Sequence, residues 1–230
     1  MLLAIDTSTG TSVAVVDRDG GVLAERTEQD TRRHAEVIGD LIAECLAASG
    51  VPIATLSGVA VGMGPGPFTG LRVGIAAANA FAFGAGKPVV RVVSHDAIAF
   101  GHYADGGSGP LLVVTDARRR QVYWSGYSGV DAEGIPLRDA GPDLAGHDQI
   151  AAKPGGRHPA GADPASADGL AATVLGYDGY LRLDAQWVSA ASVGMLAEML
   201  YLHHRPFAAA GPLYLRSPDV TVATSRKRVS

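Results

Sequence analysis

An apolar run over residues 2–6 ends in Asp6 and bends through Thr7, Ser8, Thr9 and Gly10. Hydroxyls and amides at a tight strand–strand bend can cradle a phosphate. A carboxylate at the strand end can hold Mg²⁺ through water. Asp6, Thr7, Ser8 and Thr9 are therefore candidates for a phosphate elbow, and a plain polar turn explains the same residues. A second candidate, Gly62-Met-Gly-Pro-Gly-Pro-Phe-Thr-Gly70, opens a helical pattern. Free amides at a helix start favour anions. The segment lacks the Gly-Lys-Ser/Thr ending of a P-loop and the ribose carboxylate of a dinucleotide fold. Pro65 and Pro67 also remove two amide donors. A rigid structural loop and an anion cradle both remain open readings.

The other reactive residue types are poorly placed for catalysis. No pair of the seven histidines has i,i+4 spacing with a third ligand nearby. His95 and His102 lie two helical turns apart, about 10 Å, too far for one ion to bridge. The single cysteine, Cys45, excludes an intrachain disulfide and a thiolate cluster. It falls in an apolar helical stripe, which predicts a buried structural thiol. There is no Gly-x-Ser-x-Gly elbow. Arg118, Arg119 and Arg120 sit at the tip of a hairpin pattern. Three charges are too few to claim RNA binding, but they could join a composite surface with a partner.

The elements that must position these residues read as α/β. Strands are expected over 2–6, 11–16 and 22–25, with Asp19-Gly20-Gly21 as a turn. Val37, Ile38, Leu41, Ile42, Cys45 and Leu46 then mark a helix, ended by Gly50 and Pro52. A strand over 59–62 leads through the Gly/Pro loop into a helix reaching about 83. A strand over 88–93 and a helix from Ser94 to about 104 complete the first half. Residues 105–110 read as a linker. After it come a strand over 111–115, a turn over 116–120 and a strand over 121–127. Residues 139–170 read as irregular, with a short helix near 146–152. Short strands are expected over 171–175 and 180–183. A helix over 189–203, an apolar segment over 211–216 and a frayed tail over 226–228 follow. The division this suggests is 1–105 and 106–230.

Composition bounds the function. The chain has 230 residues, 47% apolar and 18% charged, which describes a globular protein. Nineteen Lys+Arg against 23 Asp+Glu give a net charge of −4, a weak basis for gripping nucleic acid unaided. The N-terminus has no basic n-region. The most apolar segment, 73–86, is shorter than the roughly 20 residues of a membrane span and reads as a core helix. A cytoplasmic location away from membrane is expected.

Four segments in order resemble the bacterial TsaB (YeaZ-type) family: Leu3-Ala-Ile-Asp-Thr-Ser-Thr9, the loop and helix start 62–75, Thr115-Asp-Ala-Arg-Arg-Arg-Gln-Val-Tyr-Trp124, and Pro212-Leu-Tyr-Leu-Arg216. The similarity spans nearly the whole chain. Its specific part is the Gly-Pro-Gly…Phe-Thr-Gly-x-Arg segment, and Pro67 stands where the family usually has Ser. The resemblance implies two ribonuclease-H-like halves of the actin/Hsp70/sugar-kinase superfamily, the second reduced, and a vestigial elbow at Asp6, Thr7, Ser8 and Thr9. It implies a non-catalytic partner of the catalytic subunit TsaD and the ATPase TsaE, without cofactor or metal. Together these proteins transfer a threonylcarbamoyl group to N6 of adenosine 37 in tRNAs reading ANN codons. The chain would meet tRNA only through that complex and form a homodimer when alone. The catalytic relative's two metal-binding histidines align with Ser94 and Ile98, which cannot replace imidazoles.

Two other classes compete with that reading: a free-standing enzyme of the same superfamily, either an ATP-dependent kinase or a metallopeptidase, and a binding module unrelated to tRNA. A kinase needs a second phosphate elbow, and Asp116-Ala-Arg lacks the glycine companions of one. The expected docking surface is the ridge Gly70, Gly74, Ala78 and Ala82, spaced by four along one helix. Small residues there would let a foreign helix approach closely, while packing against the chain's own sheet explains the ridge equally well.

Overall fold

A computed structural model describes residues 1–150 and 179–216. The first sheet is built from β1 (Leu2–Asp6), β2 (Thr11–Asp17), β3 (Gly21–Glu28), β4 (Gly58–Gly62) and β5 (Val89–Val92). Its order is β3-β2-β1-β4-β5. β1 runs antiparallel to β2 and parallel to β4, and β4 runs parallel to β5. Every residue of β1 and β4 is buried, as a strand covered on both faces requires.

The period of two sorts β1 between two cores. Leu3 and Ile5 point with Val13 and Val15 toward α1 (His34–Ser49) and α2 (Phe68–Ala85), meeting Ile38, Cys45, Ala78 and Ala82. Leu2 and Ala4 point the other way, onto α4 (Ala190–Leu202), against Val193, Leu196 and Ala197. α4 lies so close that a Cβ on Gly194 would meet Val16 Cγ2 at 2.6 Å and Ala4 Cβ at 3.1 Å. A helix late in the chain thus covers the sheet formed by its beginning. α3 (Ser94–Ala104) lies between the two sheets, with Ala97 in the first core and Ala99 against Leu111, Val113 and Tyr127.

The second sheet comprises β6 (Leu111–Asp116), β7 (Gln121–Val130), β8 (Pro136–Gly146) and β9 (Leu181–Asp184), in the order β8-β7-β6-β9. β6 and β7 are antiparallel, as are β7 and β8, while β6 and β9 are parallel. This repeats the first sheet's order with one strand fewer, the duplicated and reduced architecture expected from the resemblance.

Several boundaries differ from expectation. Residues 139–146 are not irregular but belong to β8. Its prolines and glycines read as breakers, yet the strand lies at a sheet edge and its register with β7 shifts repeatedly, which accommodates them. At Gly141, φ is +75° and a Cβ would stand 2.6 Å from Trp124 O, so glycine is required there. Residues 147–149 form a turn rather than the start of a helix. The expected strand over 171–175 and the tail over 226–228 lie outside the described residues. The apolar segment 73–86 covers the later part of α2 and its cap Gly86; the 18-residue helix has mean hydropathy 1.2 and 28% of it is buried, so most of it is not core.

Candidate functional site

The elbow after β1 is turned inward. Asp6 is buried, and its carboxylate accepts hydrogen bonds from Ser8 N (2.8 Å), Ser8 Oγ (2.5 Å) and Ser94 Oγ (2.6 Å). Ser94 Oγ in turn accepts from Gly64 N at 3.0 Å. Burial raises the Asp6 pKa, and the bonds from Ser8 and Ser94 oppose that rise. Thr7 Oγ1 donates to Gly70 O at 2.8 Å. The Gly/Pro loop presses onto these groups: a Cβ on Gly62 would stand 1.8 Å from Asp6 Oδ2, and one on Gly66 would stand 2.8 Å from Ser8 O. The loop's glycines thus serve close backbone approach to the elbow. Thr9 Oγ1 is buried without a hydrogen-bond partner among the described residues, and Thr9 lines the cleft discussed below.

The ridge Gly70, Gly74, Ala78 and Ala82 is buried inside the chain and is not an outward docking surface. A Cβ on Gly74 would meet Thr7 Oγ1 at 2.2 Å, and Ala78 and Ala82 pack in the α1–α2 core. Small residues let α2 lie tightly on the end of β1. The opposite face of α2 is open: Arg72, Ala76, Asn79, Ala80 and Phe83 are exposed, Phe83 by 90%. α1 exposes its own small residues Ala35, Gly39, Ala43 and Ala47. The signal available in sequence was that α2 has a single charge, Arg72, and is apolar all round, more than one covered face requires.

His95 is buried with both ring nitrogens used, Nδ1 with Ser125 Oγ at 2.8 Å and Nε2 with Thr115 Oγ1 at 2.9 Å. Burial and the nearby Arg138 charge push its pKa down to about 3, so the imidazole is neutral. Ser94 is committed to Asp6, and Ile98 packs between the two cores. Among the described residues no three His, Cys, Asp or Glu side chains cluster as metal ligands. Cys45 is buried, its thiol pointing at Val13 O at 3.1 Å, and burial pushes its pKa up to about 11.

The four sequence segments converge. Tyr214 packs against Phe68 with the rings tilted by 43° and 4.7 Å between centres, and Arg72 lies over the same Phe68 ring at 3.9 Å. Leu213 N donates to Met63 O at 2.9 Å, and Arg216 Nη1 donates to Ala117 O at 3.0 Å. The segment after α4 therefore straps the Gly/Pro loop to the arginine turn. In that turn Arg118, Arg119 and Arg120 all have positive φ, at 62°, 54° and 60°. Arg118 Nη2 reaches across to Thr31 Oγ1 at 2.9 Å. Its charge, after burial, is the second cause lowering the pKa of His34, whose Nδ1 lies 2.7 Å from Thr11 Oγ1. Between the sheets lies a cleft of about 510 Å³, lined from one side by Ser8, Thr9 and Gln29 and from the other by Thr115, Arg118 and Trp187.

The profile of the family described as TsaD, tRNA N6-adenosine threonylcarbamoyltransferase, matches residues 5–163. An uncharacterized protein of Mycobacterium tuberculosis is 45% identical over 154 residues, 63% of this chain and 70% of that one. The tRNA threonylcarbamoyladenosine biosynthesis protein TsaB of Escherichia coli is 36% identical over 126 residues. That match covers 55% of this chain and 54% of the E. coli protein, so the chain spans about half the length of this curated relative. A crystal structure of a Pseudomonas aeruginosa protein with similarity to peptidase YeaZ superposes with a TM-score of 0.71 at 26% identity, covering 94% of this chain and 99% of that one.

Proposed function

Because the chain belongs to the TsaD family of tRNA N6-adenosine threonylcarbamoyltransferases and resembles its TsaB (YeaZ-type) members, we propose that it is a non-catalytic subunit of tRNA threonylcarbamoyladenosine biosynthesis. It docks on a TsaD-like catalytic subunit, works with a TsaE-like ATPase in the cytoplasm, and pairs with itself when alone. Transfer to N6 of adenosine 37 in tRNAs reading ANN codons is then carried out by the catalytic partner.

The observation that carries this reading is the open face of α2. An apolar helix with 28% of its residues buried leaves apolar surface that a partner can cover. The elbow supports the same reading. Asp6 is engaged by Ser8 and Ser94 and closed over by Gly62, which leaves a hydrated cation no approach to it. His95 is held neutral between two hydroxyls, which suits a structural role. The occupant of the α1–α2 face in this reading is a TsaD-like protein, which the similarity to a threonylcarbamoyladenosine biosynthesis protein supports. The shared fold of the two supplies equivalent helices for a pseudo-symmetric pairing.

The experiment is size-exclusion chromatography with mass measurement of the chain mixed with the TsaD-like protein of the same organism. A one-to-one complex lost on Phe83→Glu is the expected result. No complex, or one indifferent to Phe83, contradicts the proposed surface.

A further inference from the structure

A smaller cavity, of about 220 Å³, lies apart from the cleft between the sheets. Its walls come from the junction of β5 and α3, the turn into β8, one side of α4 and the segment 206–208. Ile135, Leu196, Leu200 and Phe207 give it an apolar body, and Asp96 on α3 and Arg138 on β8 are the charged residues that line it. The segment 206–208 is pinned beside it. Ala208 N donates to Arg91 O at 2.9 Å, and Arg205 Nη2 pairs with Asp131 at 2.8 Å and Glu133 at 3.3 Å. Those three charges serve one another and do not line the cavity. Phe207, 39% exposed, borders the space without filling it.

The two charged side chains are only partly used. Arg138 Nε stands 3.3 Å from Asp96 Oδ1, and Tyr127 Oη donates to the same oxygen at 2.8 Å. Arg138 Nη1 donates to Gly141 O at 3.3 Å. These contacts gather on Oδ1, Nε and Nη1, which leaves Asp96 Oδ2 and Arg138 Nη2 to bond elsewhere. The two side chains are 25% and 28% exposed, so a small molecule can reach them, while apolar walls limit screening by water. One carboxylate beside one guanidinium selects the ligand's charge. Asp96 repels a simple anion and Arg138 repels a simple cation. A molecule that carries both charges close together can lie head to tail beside the pair, its ammonium toward Asp96 and its carboxylate toward Arg138. An apolar group on the same molecule then enters the body of the cavity. The volume lies below that of drug-sized pockets and suits a ligand of roughly ten non-hydrogen atoms.

We propose that this cavity binds a free α-amino acid with an apolar side chain, of the size of leucine or phenylalanine, with its ammonium on Asp96 and its carboxylate on Arg138. The site goes beyond the docking role and is independent of it, because α4 and the α1–α2 pair cover opposite faces of the first sheet. An occupied cavity ties α3, β8 and the segment 206–208 to α4, and so stabilises the folded chain.

The test is calorimetric titration of the purified full chain, without partners, so that its result does not depend on docking. The ligands are L-leucine and L-phenylalanine. The controls are isocaproate, which lacks the ammonium, isoamylamine, which lacks the carboxylate, and L-aspartate, which lacks the apolar group. Saturable one-to-one binding of leucine or phenylalanine is expected, with a rise in melting temperature. Each control should bind about tenfold more weakly or worse, as for loss of a hydrogen bond to a charged group. Arg138→Gln should remove the advantage of leucine over isoamylamine, and Asp96→Asn its advantage over isocaproate. A general loss of structure would not produce that paired selectivity, and circular dichroism confirms that each variant folds. Absence of binding at millimolar leucine and phenylalanine, equal affinity for either single-ended control, or an advantage that survives Arg138→Gln would each overturn the proposal.

Discussion

Gly62 has no room for a methyl group, since its added Cβ would coincide with Asp6 Oδ2. Gly62→Ala must therefore displace a buried carboxylate together with the Ser8 and Ser94 bonds it accepts. A loss of about 3 kcal/mol or more in urea unfolding is expected, at or beyond the upper end for overpacking. Gly39, within α1, meets nothing within 4 Å, so Gly39→Ala should instead stabilise by about 0.5–1 kcal/mol. His95 gives a pH test. Its pKa is about 3 in the fold, below the ordinary 6.5, so the unfolded chain binds the extra proton first. The stability it contributes is complete above about pH 6.5 and is lost as pH falls toward 3. Asp6 and Asp96, whose pKa values are raised by burial, work in the opposite direction. The comparison that isolates His95 is the slope of unfolding free energy between these limits, which should flatten in His95→Gln. An unchanged slope would show that His95 does not titrate as its surroundings require. Sequence spacing excluded His95 from a metal pair, but only the fold shows Thr115 and Ser125 holding its ring.

The last helix depends on a residue far from it in sequence. Glu25 Oε1 on β3 accepts from Ser189 Oγ at 2.8 Å, Ala191 N at 3.1 Å and Ser12 Oγ at 3.1 Å, placing a carboxylate at the N-terminus of α4. A negative group there satisfies free amides and opposes the helix dipole. Glu25→Ala should cost roughly 1–2 kcal/mol and raise hydrogen exchange across 190–202 ahead of the first sheet. Exchange that rises uniformly would deny Glu25 this specific role. The helices and most strands were legible from clean apolar patterns, as in Val37, Ile38, Leu41, Ile42, Cys45 and Leu46 of α1 and the unbroken apolar run of β1, whose division between two cores only the fold shows. β8 was not, because an edge strand tolerates the Pro and Gly that usually signal a break. The Gly70–Gly74–Ala78–Ala82 ridge was recognised, but spacing cannot say whether its neighbour is foreign or native. Burial decides that, and it assigns the ridge to the chain's own core.

At the scale of the whole molecule, two sheets of matching order are joined by α3 and strapped by the segment after α4. This places the elbow, the Gly/Pro loop, the arginine turn and the 212–216 segment at one end. The sequence showed these four segments in order but not that they meet, since Tyr214 and Phe68 are joined only by tertiary folding. The correction to the ridge also separates folding from docking. Ala78→Glu would bury a carboxylate among Leu3, Ile5 and Val61, so it should unfold the chain. Phe83→Glu should leave the circular dichroism spectrum and melting unchanged, because Phe83 is 90% exposed. The most direct measurement of the central claim is threonylcarbamoyladenosine formed on tRNA in a reconstituted reaction. It would contain threonylcarbamoyl-adenylate, the TsaD-like and TsaE-like proteins, and either the native chain or Phe83→Glu. Product is expected only when the native chain and the TsaD-like protein are both present, with a drop of roughly a hundredfold for Phe83→Glu, as for a charge buried unpaired in an interface. Product made by this chain without the TsaD-like protein, or undiminished by Phe83→Glu, would contradict the account.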